Sequence, residues 1–564
     1  MRFVLQLTHP GAPSAPTLSL RVDGADVEVP DDGASLLEVL RQRLGRRSPK
    51  DGCSPQGQCG CCTVWVDGSP RVACVTPARR VANREVTTLE GLAPEVREAW
   101  AEAFTTVGAS QCGFCTPGII MRLAALGARH EAPDDEAVER TLLAHLCRCT
   151  GWRSILEAAR QVYDGPGAPP STPRHRGPRD LDAAARRAGL EGGGFQAVGA
   201  GVACGGGGFA EDTAPADALV AVPDGRGGWA VGASLEEARS LARGVPGRNS
   251  TVALRHPLEV PPGEWDLTLR TTFVEPAYLE PDASWCVPGG EPVTPLANGG
   301  AFGGKVGSPV RAAARRLADE AGRPVRVVFS REDVVRYGPK RPPVAAGVWA
   351  DGSGIIRVAR TPGSVALDRW AQAVAAVAPG LVVDEVAVAG PPVSADLRAA
   401  GWAEAAVLVA ALEAIRTART GPGHPVTMRS PAGAVATATI TAAGTVQVSV
   451  AAGEPLDVVV LRSYVVGAVH QALGWVRSEG VAVDEAGTVL DLTIRSFGIL
   501  AARAMPSVEV AVEDDPRPAL AVGDTVFAAV AAAAWVAAGL PSSWPVDRGG
   551  LVGRDGLVGR GGKA

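Results

Sequence analysis

Nine of the chain's eleven cysteines lie between Cys53 and Cys149, and this array limits what the chain can fold into more than any other feature. They form two groups. The first is Cys53-x5-Cys59-x2-Cys62-x11-Cys74, with Cys61 as an extra thiol between two of its members. The second is Cys112-x2-Cys115 followed by Cys147-x-Cys149. Four thiols converging on one small volume need a loop that turns back sharply. Gly57 and Gly60 therefore fall where the backbone must adopt conformations a side chain would forbid.

No stretch at the start reads as an export signal, so the cysteines are expected in a reducing, cytoplasmic setting, where clustered thiols bind metal rather than pair as disulfides. A length of 564 residues implies several domains. A net charge of -5 gives no general attraction to nucleic acid or anionic membrane. Thr525–Val546 contains an alanine-rich run broken by Pro541 and Pro545, so a buried helix is expected there rather than a membrane span.

The first spacing is close to that of plant-type 2Fe–2S ferredoxin loops, which have x4 in the first gap. Flanking elements agree. Leu18–Val22 and Val27–Val29 alternate around Asp23-Gly24, a tight-turn dipeptide, and Ser35-Leu36-Leu37-Glu38 reads as a capping box opening a helix through Leu44. Zinc in an interaction protein is the competing reading, but structural zinc sites pair short Cys-x2-Cys knuckles. The second group lies among helical stretches near 96–107, 117–128, 134–145 and 152–163, with Thr116-Pro117 as a cap and first-turn proline. Short connections predict an antiparallel four-helix bundle with ligand pairs at helix ends. Cys53, Cys59, Cys62 and Cys74 are thus candidate ligands of one 2Fe–2S cluster, and Cys112, Cys115, Cys147 and Cys149 of a second.

Residues 1–163 resemble the iron–sulfur unit of the xanthine dehydrogenase and aldehyde oxidase family, the molybdenum hydroxylases. The motifs that carry this are Gly57-Gln58-Cys59-Gly60-Cys61-Cys62-Thr63-Val64, Asp67-Gly68, Gln111-Cys112-Gly113-Phe114-Cys115-Thr116-Pro117-Gly118 and Leu146-Cys147-Arg148-Cys149-Thr150-Gly151. The resemblance implies that the helical cluster faces a molybdenum cofactor, with Gln111 touching its pterin, and that the ferredoxin-type cluster faces an external electron acceptor. Cys61 stands where the family has a small residue such as alanine.

Beyond a Pro/Gly-rich linker the resemblance continues in pieces to the molybdopterin-binding subunit. Asn298-Gly299-Gly300-Ala301-Phe302-Gly303-Gly304-Lys305 is similar to its cofactor loop, Leu397-Arg398-Ala399-Ala400-Gly401 to another cofactor-side loop, and Gly467–Gly474 to a late helix. Val522-Gly523-Asp524 falls where the family carries its catalytic glutamate. The implied cofactor residues are Gln111, Gly299, Gly300, Phe302, Gly303, Gly304 and Arg398, and the implied base is Asp524. Two segments usual in that subunit have no counterpart, so the region reads as shortened.

The expected fold is α+β and multidomain. It comprises a β-grasp 2Fe–2S ferredoxin domain (1–85), a helical 2Fe–2S domain (86–163), a linker (164–180), a truncated molybdopterin-subunit-like region (181–546) and a low-complexity tail (547–564). No dinucleotide fingerprint marks a flavin domain, so a separate flavoprotein or other acceptor is the expected partner. Two readings of the second half stay open. In one, the chain binds a molybdenum cofactor and hydroxylates an aldehyde or N-heterocycle. In the other, it is an electron-transfer subunit whose cofactor-free second half docks on a complete molybdopterin or flavin subunit. His470, Cys204, Cys286, Glu211-Asp212 and Asp514-Asp515 are read as structural or solvated residues.

Overall fold

The computed structural model describes residues 16–130, 132–165, 179–242, 253–294 and 301–547. Gly299 and Gly300, most of the linker and nearly all of the tail lie outside these residues. The first sheet is mixed, in the order β2-β1-β5-β3-β4, with β1 Thr17–Val22, β2 Ala25–Pro30, β3 Thr63–Val66, β4 Ser69–Val72 and β5 Glu85–Thr87. Asp23 and Gly24 both take positive φ, as a two-residue hairpin turn requires, and Asp67-Gly68 does the same between β3 and β4. The Ser35 hydroxyl accepts the Glu38 N–H at 3.2 Å, but only Leu36–Glu38 is α-helical. Val39–Arg43 winds as a π-helix. Arg41 is drawn inward there, donating to the Pro49 carbonyl at 2.9 Å and to Asp212 at 2.8 Å.

Four helical segments come next: Pro94–Thr106, Thr116–Gly127, Asp135–Thr141 with a 3-10 turn, and Arg153–Tyr163. Helix Thr116–Gly127 starts one residue earlier than the Thr-Pro signal implies. Cys115 occupies its cap position, with no side-chain capping bond.

Among the described residues the second half holds three four-stranded sheets. They order as Trp229–Gly232, Leu219–Pro223, Val325–Val328, Ala283–Cys286; as Leu381–Ala387, Gly354–Arg360, Val344–Val348, Leu267–Arg270; and as Val426–Arg429, Val435–Ile440, Val446–Ala451, Val508–Val512. The alanine-rich segment forms the buried helix Gly523–Ala537. It packs between helices Val458–Arg477 and Trp402–Arg416 and against the last sheet. Its small side chains permit that close approach. Among the described residues no helix is long and apolar enough to cross a membrane.

One continuous apolar core joins the ferredoxin-type sheet, the cysteine loops and the second half. The cysteine-bearing region is therefore packed directly onto the second half through that shared core. Trp152 is buried and donates its indole N–H to the Leu500 carbonyl at 3.0 Å. Asp212, which in the sequence reads as part of a solvated turn, pairs instead with Arg41 and the buried Lys50. Nothing local to Asp212 signals those cations, which lie far away in sequence.

His470 lies wholly buried in the long helix, its Nε2 3.0 Å from the Leu500 carbonyl. Burial pushes its pKa down from 6.5 to about 4. The unfolded chain takes up that proton first, so stability is present above pH 6.5 and is lost as pH falls through the window between the two values. Moving from pH 7 to pH 5 should cost about 2 kcal/mol through this residue. Urea melts of His470→Gln at both pH values check it: the variant should lose distinctly less stability on acidification, and an equal loss refutes the assignment.

Candidate functional site

The site begins with the β3–β4 hairpin. Its register pairs Thr63 with Val72, so the chain leaving Cys62 returns at Cys74 on the same side. The long Cys62–Cys74 gap is thus one hairpin, and the Cys74 N–H points at the Cys62 sulfur at 3.4 Å. On the opposite limb the Cys53 sulfur accepts the backbone N–H groups of Gln56 at 3.3 Å and Gln58 at 3.4 Å. Oriented amides of this kind favour negative charge on sulfur. Contact with the Cys59 thiol first, and Cys74 second, holds Cys53 well below the usual thiol range. All four cysteines are buried.

The second set is built from two loops that each feed a helix. Cys112 and Cys115 precede Thr116–Gly127, and Cys147 and Cys149 precede Arg153–Tyr163. The sulfurs of Cys112 and Cys149 lie 3.7 Å apart, and Cys115 adjoins Cys147, whose pKa falls to about 6 through that contact. The thiols thus group two and two. A 2Fe–2S cluster takes two thiolates at each iron, whereas structural zinc takes four ligands at one point. Among the described residues no three His, Cys, Asp or Glu side chains converge on a single-ion position.

The two sets adjoin. The Leu146 N–H donates to the Cys59 carbonyl at 3.0 Å, so Cys59 of one set is one hydrogen bond and one peptide from Cys147 of the other. Gly60 and Gly118 make this possible. A Cβ on Gly118 would stand 2.3 Å from the Gly60 carbonyl, and one on Gly60 would stand 2.4 Å from the His145 ring. His145 is buried, its Nε2 is 3.2 Å from the Thr63 hydroxyl, and burial lowers its pKa to about 3, so it is neutral between the loops.

Arg148, between two cysteines, makes a bidentate pair with Glu479 at 2.5 and 2.8 Å, and both side chains are buried. Reasoning from sequence misses Arg148, Glu479 and His145. For Arg148 a signal is present, because a charge between two buried cysteines needs a partner.

The residues that the resemblance assigns to a pterin are engaged within the protein. Gln111 is buried and its Nε2 donates to the Cys149 carbonyl at 2.9 Å and to Ser463, at 3.1 Å to the carbonyl and 3.0 Å to the hydroxyl. Arg398 stacks on Phe302 with its guanidinium carbon 4.6 Å from the ring centre, and reaches Gln471 at 2.9 Å and Asp524 at 3.1 Å. The Asp524 side chain is 57% exposed. A Cβ on Gly303 would lie 1.8 Å from the Asp396 carbonyl, and one on Gly304 would lie 2.8 Å from Tyr278, so both glycines pack on protein. The cavity bordered by Phe302, Arg398 and Gln471 holds about 40 Å³, and the one bordered by Cys112, Cys115 and Cys149 about 20 Å³. These are water-sized spaces, while organic cofactors occupy ~300 Å³ or more. The described residues here do not fit a molybdopterin.

Residues 88–160 match the model of the [2Fe-2S] binding domain family. The nicotinate dehydrogenase small FeS subunit of Eubacterium barkeri is 38% identical over 150 residues, covering 26% of this chain and 95% of that protein. Aldehyde oxidoreductase of Megalodesulfovibrio gigas is 40% identical over 144 residues, 25% of this chain and 16% of that protein. Among solved structures, aldehyde oxidoreductase from Desulfovibrio gigas superposes with a TM-score of 0.67 at 15% identity, covering 95% of this chain and 99% of that one. At that identity the likeness establishes fold alone, but it extends through the second half. With its cysteine loops matched in sequence and its remaining architecture matched in fold, the chain belongs to the molybdenum hydroxylase family of xanthine dehydrogenases and aldehyde oxidoreductases.

Proposed function

We propose that this chain is a two-cluster electron relay of a molybdenum hydroxylase system. Cys53, Cys59, Cys62 and Cys74 hold one 2Fe–2S cluster, and Cys112, Cys115, Cys147 and Cys149 hold the other. The observation that carries this reading is the junction of two buried four-thiol sets through the Leu146 N–H and the Cys59 carbonyl. Each bound cluster supplies a one-electron redox site. The chain's own residues supply the rest: paired thiols, amides aimed at sulfur, a short bonded link between the two ligand sets, and a second half that keeps water from the helical set.

The packing around Gln111, Phe302 and Arg398 favours a second half without a molybdenum cofactor of its own. The hydroxylase centre and the final acceptor, a flavoprotein or another redox protein, then belong to separate subunits. The E. barkeri relative, named as a small FeS subunit, accords with a multi-subunit assembly.

Metal and sulfide analysis of the chain purified from a host that makes molybdopterin tests both statements. About four irons and four acid-labile sulfides per chain are expected, as two 2Fe–2S clusters require, with molybdenum near zero. Zinc without sulfide would overturn the relay, and stoichiometric molybdenum would return the hydroxylase centre to this chain.

A further inference from the structure

Thr150 follows the last cysteine of the helical set, and its side chain turns back onto that set. Its hydroxyl oxygen lies 3.2 Å from the Cys147 sulfur. Thr150 is 2% exposed, so water does not compete for the contact. The chain beyond it is held in an uncommon turn. Gly151 and Trp152 take positive φ of 60° and 69°, which a bulky residue adopts only where its surroundings impose it. Here the second half imposes it. A Cβ on Gly151 would stand 2.5 Å from the Val466 carbonyl, and the Trp152 indole N–H is bonded to the Leu500 carbonyl. Threonine is also stiff at χ1, so its hydroxyl has few other places to point. The ferredoxin-type set differs here, since its Cys53 and Cys62 sulfurs face backbone N–H groups. At Cys147 the partner is a side-chain hydroxyl, which a substitution can remove without altering the backbone.

We propose that Thr150 is a positioning residue of the helical set: its hydroxyl donates to the Cys147 sulfur and raises the reduction potential of the cluster held there. The direction of the bond follows from ligand chemistry. A metal-bound cysteine is a thiolate and carries no proton, so only the hydroxyl can donate. A donor at a ligand sulfur draws negative charge away from the cluster and favours its reduced state, and hydrogen bonds to the sulfurs are among the factors that set such potentials. Because the second half fixes the turn that carries Thr150, it takes part in setting this potential. This inference rests on the two-cluster reading above.

The test is a redox titration of the full-length chain followed by electron paramagnetic resonance, with iron and sulfide measured on each sample. Cys115→Ser identifies the helical signal as the one it alters. In Thr150→Val, which keeps the shape and removes the hydroxyl, that signal should need a lower potential. At fixed potential its reduced-to-oxidised ratio should fall about fivefold, equivalent to about 40 mV at 59 mV per tenfold. The other signal should stay in place. Thr150→Ser keeps the donor and should return the ratio to within about twofold of the unaltered chain. One exchangeable-proton coupling to the helical signal should be lost in the valine variant and kept in the serine variant. A ratio changed by less than about 1.5-fold in the valine variant, with iron retained, overturns the proposal. An equal fall in both variants overturns it too, because the side chain would then act through packing. Iron loss in the valine variant also overturns it, because the hydroxyl would then be needed for assembly. If the unaltered chain lacks two signals, the relay reading fails and this inference with it.

Discussion

Glu479→Ala is expected to strip the helical thiol set of its iron and to cost the chain about 4 kcal/mol, the scale seen when one partner of a buried ion pair is removed. The reason lies in Arg148. Its place between Cys147 and Cys149 fixes its backbone, so its side chain cannot leave without moving two thiols. Its guanidinium is held by both Glu479 oxygens and by the Pro276 carbonyl at 3.0 Å. The Arg148 side chain is 6% exposed and that of Glu479 is 2% exposed, so water cannot replace a missing carboxylate. The buried cation would pull the loop toward solvent and separate Cys147 from Cys115. Iron per chain should therefore drop from about four toward two, the number in one 2Fe–2S cluster, with one paramagnetic signal lost. The double variant Arg148→Met with Glu479→Leu should recover much of the stability, since apolar replacement of a whole buried pair is often neutral. Unchanged melting and full iron in the single variant would show that the pair does not hold the loop.

This pair also marks where sequence reading stops. The grouping of the cysteines into two sets and the first hairpin are legible because their logic is local: spacing, turn dipeptides and alternation all lie within short stretches. The four helical stretches are legible for the same reason. The Ser35 signal is only half informative, since the hydroxyl caps as expected but the turns beyond Glu38 widen into a π-helix around the inward-drawn Arg41. Thr116 reads as a cap and is the first helical residue, because the thiol-bearing Cys115 takes the cap position. Asp212 escapes sequence reasoning because its partners, Arg41 and Lys50, are supplied by another part of the chain. The assigned cofactor residues show a further limit. Motif order places Gln111, Arg398 and Gly303, but motif order carries no information about what fills the space beside them, and Ser463, Gln471 and Asp396 respectively are the residues that meet them.

Gly467→Ala should have the other large effect, and it tests whether the second half is part of the cluster site or an independent body. Gly467 lies in the middle of helix Val458–Arg477, where glycine costs about 1 kcal/mol relative to alanine. On helix propensity alone the substitution would stabilise. In this position the new Cβ would meet the Cys149 carbonyl at 1.9 Å, which no rotamer change relieves because the methyl has none. Two other contacts pin the same surfaces. A Cβ on Gly151 would stand 2.5 Å from the Val466 carbonyl, and one on Gly108 would stand 3.0 Å from the Val459 carbonyl. The helix therefore cannot slide aside along the loop, and overpacking of this kind costs up to about 3 kcal/mol. The sign of the result decides the matter. If the halves are joined as described, Gly467→Ala lowers the urea midpoint, breaks the Gln111–Ser463 bonds and makes the helical cluster the first to bleach under oxygen. If alanine instead raises the midpoint by its propensity alone and leaves both paramagnetic signals intact, the long helix does not rest on Cys149, and the second half is not the shield of that cluster.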